Sequence, residues 1–308
     1  MYPNMTFLAR LFAVLPRAVC GPLCLTSLLV APGALPAQVH APVARSDSDG
    51  VRTSWFPGSQ LIAPPEAAPR EVRTAIGSLA VDRDGDAQLG DVEAEAALGY
   101  QLSAFRLAAG GPEPWRLEVG VEGGVFARLS PVASNFGLIE ADFRVGFPVS
   151  MRRGSWQARL GWVHMSSHLG DDFLRGPGAR YDAEVSRNGL TALLARRLGG
   201  AVRVYIGGDW NYLITPNVEK WAGRVGLEWM PVRHSSSRLG PHLALDLEIA
   251  DLTGRLAGTG QGGVSFRTRP AILSVDLVGH VGPSPLGHFR SVDESYVGIM
   301  LSVFPAED

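Results

Sequence analysis

Cysteine and lysine are almost missing from this chain. Its 308 residues hold two cysteines, Cys20 and Cys24, both near the start, and neither follows the small residues that a lipoprotein-type signal places there. If the first segment is removed, no thiol remains, so a disulfide framework and a cysteine nucleophile are both excluded. Lys220 is the sole lysine; arginine supplies the other positive charges. The net charge of −2 leaves no basic excess to neutralise phosphates, so nucleic acid is not an expected partner. No phosphate-cradling glycine loop or dinucleotide fingerprint occurs. His234, His242, His280 and His288 lack metal-ligand spacing. After the first segment there is no run of about 18 apolar residues, so any membrane-spanning structure must be a barrel.

The first segment reads as a targeting sequence. Arg10 and Arg17 precede an apolar stretch broken by Gly21, Pro22, Pro32 and Gly33, and small residues allow cleavage after Ala37 or Ala41. The expected organisation is a signal peptide at 1–37, an irregular lead-in at 38–70 and a β-barrel at 71–308. Within the lead-in, Trp55-Phe56-Pro57 and Leu61-Ile62-Ala63-Pro64 are expected to dock on the barrel rim. The 37 glycines are scattered, which suits tight turns better than a flexible linker.

From about Glu71 the hydrophobic period is two, which places successive side chains on opposite faces of a strand. Val202, Val204, Ile206, Trp210 and Tyr212 alternate with Arg203, Tyr205, Asp209 and Asn211. Leu243, Leu245, Leu247 and Ile249 alternate with His242, Asp246 and Glu248. A soluble sandwich also alternates. A membrane barrel is favoured by three features: polar faces dense in both signs of charge, tryptophans near strand ends, and the export signal. The fold class is therefore all-β, an antiparallel outer-membrane β-barrel of about 12 strands. Expected spans are 72–81, 89–107, 115–129, 137–149, 155–168, 188–198, 201–213, 220–232, 240–251, 262–270, 271–281 and 293–304. With both termini periplasmic, the longest connection, 169–187, faces outward. Lumen residues such as Glu93, Glu95, Arg116, Glu118, Arg144, Arg159, Arg203, Arg224, Glu228 and Glu248 are expected to pair and block the pore.

One stretch could carry chemistry. Residues 162–172 read Trp-Val-His-Met-Ser-Ser-His-Leu-Gly-Asp-Asp. His164, Ser166 and His168 continue the parity of the apolar residues Trp156, Ala158, Leu160 and Trp162, so they point outward at the upper rim. Polar residues on a lipid face are costly and call for an explanation. A histidine two residues from a serine can act as its base, and a carboxylate would orient that histidine. Asp171 is the first candidate, with Asp172, Asp182 and Glu184 beside it. The plainer reading is an interfacial strand end that has left the membrane.

The stretch His164-x-Ser166-Ser167-His168-Leu169-Gly170-Asp171-Asp172 resembles the signature of the domain of unknown function 1207 (DUF1207) family of Gram-negative envelope proteins. Trp55-Phe56-Pro57, Ile62-Ala63-Pro64, Arg203-Val204-Tyr205 and Leu243-Ala244-Leu245-Asp246-Leu247 add to it. The resemblance covers most of 52–304 and implies an envelope location rather than an activity. More distantly, the His164-x-Ser166 pair is similar to that of lipid A deacylases, small outer-membrane barrels in which it supplies base and nucleophile. Those enzymes usually follow the serine with asparagine, where this chain has Ser167.

The first functional expectation is a structural or interaction barrel. The alternatives are an outer-leaflet lipid esterase and a narrow solute channel. The expected partners are outer-membrane lipids, lipopolysaccharide or phospholipid. No cofactor is expected. Asp82, Asp84, Asp86 and Glu93 nearly spell a calcium loop, but Ala87 replaces its glycine, and a hairpin turn at Asp84-Gly85 is the simpler account.

Overall fold

The computed structural model describes residues 45–46, 50–84, 91–110, 114–131, 137–175, 184–215, 218–233, 237–268 and 271–305. The expected signal peptide, 1–37, lies outside the described residues. Two short strands come first, β1 (Arg45–Ser46) and β2 (Val51–Trp55). Twelve long ones follow: β3 (Thr74–Arg83), β4 (Val92–Ala109), β5 (Trp115–Ser130), β6 (Gly137–Arg153), β7 (Trp156–Leu169), β8 (Glu184–Leu198), β9 (Val202–Ile214), β10 (Trp221–Trp229), β11 (Leu239–Ala250), β12 (Leu256–Arg267), β13 (Ala271–Pro283) and β14 (Asp293–Pro305). Each long strand pairs antiparallel with the next, and β14 returns to β3 from Val303–Thr74 to Glu294–Arg83, closing a twelve-strand barrel. Closure leaves no barrel edge unpaired, which hydrocarbon would not tolerate.

Several expected boundaries shift, β6 running on to Arg153 and β10 ending at Trp229 among them. The strand expected at 262–270 begins at Leu256. Gly258, Gly260 and Gly262 occupy one parity there, and glycine has no side chain to report which face it is on. The open connection expected at 169–187 is shorter, because a single helical turn, α1 (Asp171–Leu174), follows Gly170 and β8 starts at Glu184.

The outer wall is apolar, with Leu160, Leu190, Ile206, Val225, Leu245, Leu277 and Ile299 all exposed on it. So large a continuous apolar surface cannot face water in a soluble monomer. Trp156 and Trp229 mark one end of this band, Trp210 and Trp221 the other.

The inner wall is a lattice of charges. Arg128 is fully buried, 2.8 Å from Glu93, 2.6 Å from Glu95 and 3.4 Å from Glu294. Arg144 and Arg159 share Glu122, at 2.9 and 2.5 Å. Tyr205 donates to Asp246 at 2.7 Å. Its ring lies where only glycine fits, since a Cβ on Gly226 would sit 2.2 Å from the phenol oxygen.

The lead-in departs from expectation. β2 pairs with the lower part of β4, Trp55 opposite Phe105. At Phe56 the chain turns with φ at 48°, uncommon for a residue with a Cβ, and passes inside. Leu61 and Ile62 have no exposed surface, so Leu61-Ile62-Ala63 fills the lumen rather than docking on the rim. The segment touches opposite walls. The Leu61 amide donates to Glu118 and the Glu66 amide to Glu228. Arg203 donates to the Ala63 and Pro64 carbonyls, and Arg144 to that of Arg70. Arg73 pairs with Glu95 at 2.8 Å. The chain thus plugs its own barrel.

Burial alone would raise the Glu71 carboxyl, but Arg144, Arg159 and Arg224 around it outweigh burial and hold it down to about 2. Glu66 moves the other way, pushed up by burial against the pull of Arg233.

Two predictions follow from the plug. Arg203→Ala leaves Glu228 buried without its cation (2.7 Å) and should lower stability by on the order of 3 kcal/mol, read as a shifted urea midpoint. A depressed carboxyl stabilises the folded state above its ordinary value and loses that contribution as pH falls toward the folded one. Protonating Glu66 does not oppose docking. Protease protection of residues 60–73 should therefore persist as pH falls to about 4.5 and weaken only between there and about 2; release near neutral pH would contradict this account.

Candidate functional site

Strand β7 carries the serine–histidine stretch near its end. Gln157, Arg159, Met165, Ser167 and Leu169 are buried inward, while the alternate residues Trp156, Leu160, Trp162, His164, Ser166 and His168 take the outer face. Register with β8 sets His164 opposite Asn188, Ser166 opposite Ser186 and His168 opposite Glu184. Directly opposed residues on one face lie close enough to interact. Ser166 is ten residues beyond Trp156, which at a strand tilt near 40° puts it about 26 Å higher, the height of the apolar band. It therefore stands at the interface on the end of the barrel with the longer connections. In bacterial barrels that end is extracellular.

The polar groups are joined. His168 Nε2 lies 3.3 Å from Ser166 Oγ. His164 Nδ1 donates to Asn188 Oδ1 at 3.1 Å; in the neutral ring that bond selects the tautomer whose Nε2 accepts. The Phe143 ring edge packs on His168, with centroids 5.6 Å apart at 75°. The Trp162 indole lies parallel to His164, at 6.4 Å and 16°.

From inside, the strand rests on the β13–β14 connection. Its turn at Gly287–Phe289 folds into the barrel mouth. Leu286 and Phe289 pack with Ile139, Leu169 and Phe173. His288 donates its amide to Glu140 at 3.1 Å. Gly287 lies so close to Ser167 that a Cβ there would be 2.5 Å from the serine Cβ.

The expected residues are distributed unevenly. His164, Ser166 and His168 share one face, as their parity requires. Asp171 is on α1, largely exposed, and pairs with Arg175 at 3.8 Å. Glu184 is the register partner of His168; the side chains of Asp172 and Glu184, and all of Asp182, lie outside the described residues. The group that does hold a histidine is an amide, Asn188, which sequence reasoning missed. It was expected at the very start of β8, with no register to place it. Of the calcium candidates, Asp86 lies outside the described residues. Asp82 is exposed on the outer wall, while Glu93 is buried inside between Arg83 and Arg128.

Fold and wall together define an outer-membrane-type β-barrel. More particularly, the chain belongs to the family described as protein of unknown function (DUF1207), which it matches over residues 31–303. No curated protein matches it. Among solved structures it is similar to outer membrane phospholipase A from Escherichia coli, with a TM-score of 0.53 and 14% identity over 77% of this chain and 97% of that one. The calcium-bound dimer of the outer membrane phospholipase from Salmonella typhi gives 0.53 and 14%, over 79% and 94%. An E. coli phospholipase with an active-site asparagine changed to alanine gives 0.51 and 15%, over 80% and 95%. At such identities the likeness is one of fold.

Gly287→Val should push on Ser167 and lower stability by about 1–3 kcal/mol. A thermal unfolding midpoint equal to wild type would show that the turn does not brace β7.

Proposed function

We propose that this protein is a serine-type lipid acyl hydrolase of the bacterial outer membrane, reached by export through the periplasm, acting on phospholipid or lipopolysaccharide in the outer leaflet. The observation that carries the reading is Ser166 on the lipid-facing wall, flanked by His168 at 3.3 Å and by His164 held on Asn188. A hydrogen-bonded polar row on the outer face at the edge of the lipid leaflet calls for an explanation that a merely structural barrel does not supply. The channel reading finds no support, since the chain's own segment fills the lumen. The same fold carries a phospholipase in the structures compared above, one of them altered at an active-site asparagine, the residue type that holds His164 here.

In this reading Ser166 is the nucleophile and His164 the base. Asn188 accepts from Nδ1 and so fixes the tautomer that leaves Nε2 free. Nε2 takes the hydroxyl proton as Oγ attacks the ester carbonyl. The acyl group passes to Oγ, and the released alcohol leaves with the proton from Nε2. Water, deprotonated by the same nitrogen, then frees the fatty acid and restores Ser166.

The test is fatty-acid release from phospholipid and from lipopolysaccharide by the refolded full chain, with calcium present or chelated. Ser166→Ala and His164→Ala should each abolish release, while Asn188→Ala should lower kcat on the order of 10-fold or more. Activity kept by Ser166→Ala sinks the proposal. Activity lost in His168→Ala but kept in His164→Ala would move the base to His168.

A further inference from the structure

On the membrane side of His164 the outer wall is aromatic. Phe147 stacks on Trp162 at 5.7 Å and 25°. The Trp162 Nε1–H donates to the Tyr212 hydroxyl at 2.9 Å. Tyr212 packs in turn on Trp210, with centroids 5.7 Å apart. The bond from Trp162 to Tyr212 spans from β7 to β9, passing over β8, where Leu190 pairs with Trp162 on one side and with Trp210 on the other. A lipid-facing indole needs no fixed orientation to be soluble in hydrocarbon. This one is fixed twice, by a ring on one side and a hydroxyl on the other. Hydrogen-bonded polar groups at a lipid face are strongly held, because hydrocarbon offers no competing partner. The face thus held is the one parallel to His164.

We infer that Trp162, clamped by Tyr212, is a positioning residue for His164. Asn188 fixes which ring nitrogen carries the proton, but one hydrogen bond leaves the imidazole free to swing about it. The clamped indole limits that swing and so holds the ring plane of His164. The role rests on the hydrolase reading for its consequence in catalysis, though not for its structural content. Tyr212 touches neither histidine nor serine in any described contact, so its effect on the reaction must pass through Trp162.

Tyr212→Phe and Trp162→Phe each delete one end of the same hydrogen bond while keeping an aromatic ring in place. Each should lower kcat about fivefold with KM unchanged, and the double variant should be no worse than either single one. The second readout needs no turnover. In the 15N-histidine-labelled full chain in detergent micelles, with the signal assigned through His164→Gln, the His164 ring should show one tautomer, protonated at Nδ1, in the wild type. In Tyr212→Phe the tautomer should stay, held by Asn188, while the ring signals broaden as the imidazole swings. Additive losses, a change confined to KM, or a His164 signal indifferent to Tyr212→Phe would each overturn the inference. If Ser166→Ala proves as active as wild type, the hydrolase reading fails, and the histidine signal alone decides whether the clamp exists.

Discussion

Arg128 has no exposed surface, and it is stable there only because Glu93, Glu95 and Glu294 surround it. Most of the architecture depends on this kind of compensation. A strand has two faces; here the outer one meets hydrocarbon, so charges at the depth of the apolar band must turn inward. The space inside twelve strands is narrow, so those charges lose their water. Removing one partner of such a group leaves an uncompensated buried charge, which is far more damaging than the pair is stabilising. The lattice is thus less a source of stability than a condition the rest of the chain must satisfy.

The plug follows from the same condition. Wall residues such as Glu118, Glu228 and Arg203 still have hydrogen-bonding capacity directed into the lumen. The segment from Gln60 to Arg73 supplies backbone amides, carbonyls and side chains to meet it. Leu61, Ile62 and Ala63 take the remaining volume. A filled lumen also stiffens the wall from within, and the turn at Gly287–Phe289 does the same beneath β7. The serine–histidine row is therefore mounted on a braced strand, as the proposed hydrolase would require.

That row is the exception to the rule the barrel otherwise obeys. His164, Ser166 and His168 face outward, yet they lie at the height where the apolar band ends. Their hydrogen bonds run to one another and to Asn188 rather than to the lumen. An aromatic layer separates them from the hydrocarbon below. The arrangement brings polar chemistry to the edge of a lipid leaflet without burying an unpaired group.

The alternation in β9 and β11, and the outward parity of His164, Ser166 and His168, could be read directly from residue order. Side-chain direction along a strand has a period of two and needs no long-range information. The same holds for the inward charges and, nearly, for the number of strands. Gly258, Gly260 and Gly262 concealed the start of β12, because a residue without a side chain carries no signal of its face. Two features were decided only by tertiary structure. Asn188 meets His164 through the register of β7 against β8, a quantity set by pairing across the sheet and not by either strand alone. Leu61-Ile62-Ala63 enters the lumen because unsatisfied groups on many distant strands converge there, and nothing in an aperiodic, proline-rich segment announces a cavity that only closure creates.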